Sequence, residues 1–598
     1  MNVLPPLLIA MALAMSAHAA DSPDARDAAD AAIAAGDTAR ARQLLETALA
    51  AEPTDAWVRF DLSRLMRDAG EPQAADALMR AGGELVPTDD DMSFAEALYF
   101  NGADQPETAR AALARIPAAG QTPKVRRLYN TIAVDEHLRA ARASADRGDQ
   151  AGARRELERA RALDPDSASV AVRSGWIAMA ASDYDAAGEH FRDAIRHEQR
   201  DGDSPDDSAG RRGLAYLENR RDGRIESGIE HFDKPGDAGI SQMTSVIAPL
   251  EARWPVGYRG HVFLHLDGID LDAGRVPIEN LADSAEYGAL LALGPGGGDP
   301  EQDARGVMPG LGYEGDHWRA DVGATPSGFE HSNMVGGLRY DRWLEDHSLG
   351  FDLSRRPVTS SLVSFAGAED PASGRIWGGV VATGLRARGS RRIDDWNLFG
   401  NAGWHRLTGR NVPDNDWLSL RVGIDRDWLQ TPAHTLTAGL AATWWAYDKN
   451  QRFYTLGHGG YYSPQAYVAL ALPFEWSGRQ ERLSFRVRGG GAVSLSDEDD
   501  VDFHPTDSAL QSAAALAAAA NNLGDARHDG GAGGGFGWYL GGAVEYRLTP
   551  HWSVGARTAI DRSEYYTPDT FGLYLRWHFA SRDGDVPLPD PPTPYALY

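Results

Sequence analysis

The sequence predicts an α+β multidomain protein: an N-terminal α-helical repeat solenoid followed by a C-terminal antiparallel transmembrane β-barrel of about 16 strands. Three observations carry this. Small residues recur at a fixed interval through the first third of the chain. From Arg224 to Phe579 segment after segment alternates apolar and polar residues, as strands with two unlike faces do. An apolar leader stands at the N-terminus.

Length and composition bound the reading. At 598 residues two or three domains are expected. The chain is 42% apolar and 24% charged, close to a soluble average. Beyond the N-terminus no apolar run is long enough for a spanning helix, but barrel strands alternate and escape that test. The absence of cysteine excludes disulfides, thiolate metal sites and a cysteine nucleophile. A formal charge of -27 argues against a nucleic-acid partner. That acidity serves solubility, or else marks acidic outer loops that face divalent cations.

Residues 1–20 read as a secretory signal peptide, with an apolar run from Leu4 to Met15 and the cleavage signature Ala17-His18-Ala19. No Lys or Arg precedes the run. Residues 21–200 are helical and repetitive. Gly36, Ala41, Leu45, Ala48 and Pro53 return 34 residues later as Gly70, Ala75, Met79, Gly82 and Pro87. The frame recurs at Gly148, Ala153, Leu157 and Pro165, then at Ser182, Ala187 and Phe191, with a degenerate unit around Ala109 and Leu113. This is the tetratricopeptide (TPR) period, and about five repeats are expected. One such hairpin cannot bury its own apolar face, so neighbours must stack. Residues 201–223 read as a polar linker with a capping helix.

Residues 224–579 read as the barrel. Leu418, Leu420, Val422 and Ile424 share one face; Ser419, Arg421, Gly423 and Asp425 share the other. A soluble sandwich would bury the apolar faces, whereas a membrane barrel turns them to lipid. Fourteen of the sixteen tryptophans lie from Trp254 onward, many at expected strand ends, as in aromatic girdles. Short turns such as Thr549-Pro550 alternate with long excursions at 274–310 and 497–536, the asymmetry of outer-membrane barrels. Fifteen strands are legible, with 313–325 among them as one strand. An even count is required, so one is missed or over-counted. The glycine run 529–537 reads as a flexible hinge. The proline-rich tail 580–598 reads as extended, solvated and periplasmic.

No metal, phosphate-loop or hydrolase motif is present, so no catalytic residues, metal ligands or cofactor are expected. Asp497, Glu498, Asp499 and Asp500 lack calcium-loop spacing and read first as a solvated loop face.

Four strings carry a resemblance. They are Asp-Val-Gly-Ala-Thr-Pro-Ser-Gly-Phe-Glu at 321–330 and Arg-Arg-Pro-Val-Thr-Ser-Ser-Leu-Val-Ser-Phe-Ala-Gly at 355–367. The others are Trp377-Gly-Gly and Thr-Leu-Gly-His-Gly-Gly-Tyr-Tyr-Ser-Pro-Gln at 455–465. The barrel half resembles the C-terminal domain of the cellulose synthase operon C proteins. The resemblance implies a 16-stranded outer-membrane channel exporting an exopolysaccharide, a cellulose-like glucan. It implies a periplasmic TPR solenoid that guides the polymer or docks synthase components of the periplasm and inner membrane. Peptidoglycan is the other expected TPR partner, and outer-membrane lipids surround the barrel. The family's solenoid is usually much longer than this one. The alternative is an outer-membrane-anchored TPR scaffold without transport.

If Leu418 and Leu436 face lipid, alternation turns Arg421, Asp425, Trp445 and Tyr447 into the lumen, where flat rings and exchangeable polar groups suit a passing sugar. A lumen plugged by its own salt bridges is the competing reading. A gating loop is expected from Gly457, His458, Gly459, Gly460, Pro464 and Gln465, with Tyr461 and Tyr462 touching polymer. The competing reading is a loop whose glycines only satisfy its own turns.

Overall fold

The computed structural model describes residues 22–201, 208–344, 346–563, 566–582 and 586–598. The signal peptide expected at 1–20 lies outside them, as does most of the break at 201–207. The chain forms two compact units, 1–215 and 216–598.

In the first unit ten helices form five antiparallel hairpins: Ser22–Ala34 with Thr38–Ala51, Ala56–Asp68 with Pro72–Leu85, Asp90–Gly102 with Pro106–Leu113, Pro123–Asp146 with Gln150–Leu163, and Ala168–Ala180 with Tyr184–Asp201. A further helix spans Ala209–Asn219. The repeat works through two local devices. Gly36, Gly70 and Gly148 adopt φ of 76°, 85° and 81°, the left-handed conformation that ends a helix at little cost. The aspartate that follows Gly36 and Gly148 accepts the amide of Arg40 or Gly152 and caps the next helix. Ala41, Ala75, Ala109, Ala153 and Ala187 are completely buried, which lets paired helices approach closely. Four residues on in each hairpin, Leu45, Met79, Leu113, Leu157 and Phe191 fill the core.

The second unit is a closed barrel of sixteen antiparallel strands: β1 Arg224–Lys234, β2 Met243–Pro255, β3 Gly260–Arg275, β4 Glu301–Gly315, β5 Trp318–Ala324, β6 Met334–Trp343, β7 His347–Pro357 and β8 Ile376–Ile393; then β9 Trp396–Arg410, β10 Val412–Gln430, β11 His434–Tyr447, β12 Ala466–Gln480, β13 Leu483–Glu498, β14 Gly531–Arg547, β15 Trp552–Arg562 and β16 Asp569–His578. Each strand pairs with the next, and β16 returns to β1 from Arg224↔His578 to Asp233↔Asp569, so no edge is left.

The barrel is apolar outside and polar inside. Leu418, Leu420, Val422 and Ile424 are exposed on β10; Leu470, Leu472 and Phe474 on β12; Leu573 and Leu575 on β16. Glu226, Glu251, His265, Asp267, Glu545 and Arg576 are buried inside. An exterior of this kind faces hydrocarbon. Trp254, Trp318, Trp343, Trp396, Trp428, Trp476 and Trp552 are exposed near the short-turn end of their strands and form a belt there. Among the described residues no helix is long and apolar enough to cross a membrane.

Three expectations are corrected. The unseen strand is β4. Residues 301–310 were expected in a long excursion, and 313–325 as one strand, but β4 and β5 form a hairpin with Gly310 opposite Gly323. Pro309 and glycines at 306, 310, 312 and 315 interrupt its alternation, and these are residues that normally disfavour strands. The glycine run is also not a hinge: residues 531–537 are the start of β14, in register with β13 from Glu498↔Gly531 to Ala492↔Gly537. Backbone pairing in a closed barrel holds them without side chains. The tail is not solvated throughout, since Val586, Tyr595 and Ala596 are buried. It leaves the short-turn end after β16, and its end lies against the inward faces of β3, β4 and β7.

Candidate functional site

The lumen is the candidate site, and its two walls differ. Along β2 to β7 the wall is charged and holds the tail. His265 Nε2 lies 2.6 Å from Asp267 Oδ1, and its Nδ1 lies 3.1 Å from Glu251 Oε2. Arg253 bridges Glu251 to Glu314. Tyr595 enters this wall with both polar groups satisfied. Its amide donates to Asp267 at 2.6 Å and its hydroxyl donates to Asp321 at 2.7 Å. Arg356 grips Asp321 with two bonds of 2.7 and 2.8 Å. A Cβ at Gly310 would stand 2.7 Å from the Tyr595 ring, and one at Gly323 would also meet it. These glycines make the slot. The Tyr598 ring lies under the Arg319 guanidinium at 3.6 Å, and its hydroxyl reaches His265 and Glu251. Towards the short-turn end Arg576 is held between Glu226 at 2.7 Å and Glu545 at 2.8 Å, with Tyr574 donating to Glu545.

The opposite wall is aromatic. Ladder pairing sets Ser419 against Trp445 and Arg421 against Thr443 on the inward face. Trp445 stacks on Tyr467 with centroids 4.0 Å apart, and Trp417 on Tyr447 at 5.7 Å, both nearly parallel. His405 extends the second stack at 5.0 Å from Trp417. Arg421 and Asp425 are half-buried on the same face, and Asn397 donates to Asp425. The four lumen residues read from alternation therefore line one wall together.

The loop 456–465 packs against this wall rather than standing free in the lumen: the Tyr461 ring lies 6.0 Å from Tyr447, and Trp417 packs on the same cluster. Gly457 and Gly460 take φ of 113° and 67°, so glycine is required there. Ser361 donates to the Gly460 carbonyl, Pro464 accepts from the Tyr447 amide, and Gln465 accepts from the Asp499 amide. Tyr461 is buried against Val380 and Leu407, with its hydroxyl 3.1 Å from Asn415 Nδ2. Tyr462 is exposed. His458 is fully buried. The excursions 276–300, 358–375, 448–465 and 499–530 together cap the end of the barrel opposite the tryptophan belt. Leu362, Phe365, Leu456 and Tyr287 from these loops join Leu271, Met308 and Trp377 of the wall in one apolar core, which also takes in Tyr595 of the tail. The acidic run is engaged within the cap, with Glu498 paired to Arg452 at 2.8 Å. Sequence reasoning missed the tail tyrosines and the residues that receive them. Two aromatic residues closing an otherwise polar, proline-rich tail were the available signal.

The family model "Cellulose synthase operon protein C C-terminus" matches residues 241–580, more than half of the chain. The chain belongs to that family. A tetratricopeptide repeat model matches residues 32–99. The resemblance read from the four strings is thus borne out. Cellulose synthase operon protein C of Pseudomonas fluorescens (strain SBW25) is 36% identical over 403 residues, covering 66% of this chain and 30% of that protein. The protein of that name from Escherichia coli (strain K12) is 25% identical, over 94% of this chain and 59% of its own. The chain thus spans less than two thirds of these relatives. A solved bacterial polysaccharide outer membrane secretin aligns over 60% of this chain and 98% of its own, at 9% identity and a TM-score of 0.38.

Proposed function

We propose that this chain is an outer-membrane conduit for a bacterial exopolysaccharide, a cellulose-like glucan, with the TPR unit on the periplasmic side. The single observation that carries the reading is the aromatic wall inside a sixteen-stranded barrel: Trp417, Tyr447, Trp445 and Tyr467 in stacked pairs beside Arg421 and Asp425. A sugar chain presents alternating apolar faces and hydroxyls. Flat rings and polar groups that exchange partners hold it weakly at many points, as transit requires. A barrel of this strand number is wide enough for an aqueous path. The role is transport; the synthesis of the polymer belongs to other proteins. The TPR unit supplies a stacked surface for periplasmic or inner-membrane synthase components, or for peptidoglycan.

The charged wall and the apolar cap fit a closed resting state. Passage then requires the cap loops to lift and the tail to leave its slot. Polymer appearing outside cells that carry the wild-type chain, and lost when Trp445 and Tyr447 are both changed to Ala in a folded barrel, tests the proposal. Undiminished export by that variant would overturn it and leave a membrane-anchored TPR scaffold.

A further inference from the structure

Three histidines from two of the excursions meet inside the cap. His458, His504 and His528 are all buried. His528 stacks on the Phe453 ring, parallel at 3.8 Å, and meets the tilted Phe503 ring at 4.3 Å. His458 meets His528 edge-on at 5.4 Å. Each ring is pinned by one bond. His458 Nε2 donates to the Asp502 carbonyl at 3.0 Å, His504 Nδ1 donates to the Leu456 carbonyl at 3.0 Å, and His528 Nε2 lies 3.0 Å from Thr455 Oγ1. These bonds tie the 453–458 loop to the two strands of the 499–530 excursion.

The remaining nitrogens decide the chemistry. His458 Nδ1 and His504 Nε2 are buried with no hydrogen-bond partner among the described residues. As bare acceptors in neutral rings they are tolerated. A proton on either would add a charge and an unpaired donor in an apolar pocket. The charged groups acting on the cluster offer no carboxylate bond to any of the three rings. Arg452 faces His528 and is itself paired with Glu498. His504 feels Asp370 and Asp507, with Arg375 already bonded to Asp507 at 2.9 Å. Arg527 beside His528 is paired with Asp502.

We propose that these three histidines form an acid-sensitive latch that holds the cap shut while all three rings are neutral and lets it lift when they take up protons. The sign follows from burial. Burial holds His458 down to about 4 and His528 down to about 2, and it lowers His504 as well. The closed cap therefore binds fewer protons than the open one. Its stability is complete above about pH 6.5 and falls as the medium acidifies below that value. Each histidine released by opening multiplies the open population by up to about tenfold per pH unit in that window, and three act together. The latch does not depend on what the pore carries.

The test reads the cap rather than the pore. The chain has no cysteine, so Leu516→Cys on the cap helix and Asp395→Cys in an opposite-end turn accept spin labels without background. In the full chain in detergent, one narrow distance is expected at pH 7.5 and a second, longer component at pH 5, rising steeply and reversibly. His458→Gln, His504→Asn and His528→Gln keep the existing bonds without a titrating ring, and the triple variant should hold the narrow distance at both pH values. If the triple variant fails to fold, each single variant should lower the steepness of the transition. An unchanged wild-type distance down to pH 4.5, or acid opening that persists at full steepness in the variants, would overturn the latch.

Discussion

Tyr595 and Asp321, 274 positions apart in sequence, are joined by a 2.7 Å hydrogen bond inside the barrel. The carboxylate is also gripped by Arg356, so the tail is tied to the strand pair that carries the slot glycines. A bond to a charged acceptor contributes about 1.5–3 kcal/mol. Tyr595→Phe should therefore raise the undocked tail population about 10- to 150-fold. A nitroxide at Leu597→Cys would report it as a mobile spectral component. Gly310→Val should do the same from the wall side, because its side chain takes the space of the ring.

The outward and inward faces of β10 should respond oppositely to charge. Leu420 is 44% exposed on the lipid face and Arg421 points inward beside it. Leu420→Arg should cost about 2–4 kcal/mol near the bilayer midplane. Arg421→Leu should leave insertion intact. The folded fraction, read as the heat-modifiable band after refolding into lipid, separates the two. Equal losses would contradict the alternation.

Arg576 stands between two buried carboxylates, so its removal from the lumen is costly. Arg576→Met leaves Glu545 with no cation and Glu226 with only the longer contact to Arg224 at 3.4 Å. Breaking such a group by removing one partner costs about 3–5 kcal/mol. The midpoint of urea unfolding in lipid should fall accordingly. Adding Glu226→Gln and Glu545→Gln should recover much of the loss, since the uncompensated charge and not the missing contact dominates.

The helical period and the strand alternation were legible because each is a repeated local signal. Ala41, Ala75 and Ala109 hold one packing position, and Leu418 to Ile424 one lipid face. The lumen residues Arg421, Asp425, Trp445 and Tyr447 followed from alternation alone. What was hidden depends on long-range closure. β4 is a strand because β3 and β5 flank it in a closed ladder, not because its proline and glycines favour one. The tail is ordered because glycines at 310 and 323, far away in sequence, leave room for a ring. Tyr461 looked like a platform from its loop composition, yet Asn415 on β10 draws it into the wall.

That last contact changes how polymer contact must be tested. Tyr461 packs against Val380 and Leu407, so Tyr461→Ala removes a buried ring and should destabilise the cap by about 3–5 kcal/mol. A loss of export in that variant would not distinguish a missing sugar platform from a misplaced loop. Trp445 is the cleaner probe. It is half-buried, lies in the aromatic wall, and stacks on Tyr467. Trp445→Ala should keep the heat-modifiable band and the unfolding midpoint near wild type while lowering polymer export severalfold, whereas Trp445→Phe, which keeps a flat ring, should retain most of it. Tyr462→Ala belongs in the same series, because Tyr462 is exposed and its ring can be removed without opening a cavity. Export that tracks ring size at Trp445 at constant stability would support sugar stacking as the mode of transit. Export indifferent to Trp445→Ala would mean that the wall is passive and that the polymer is held elsewhere.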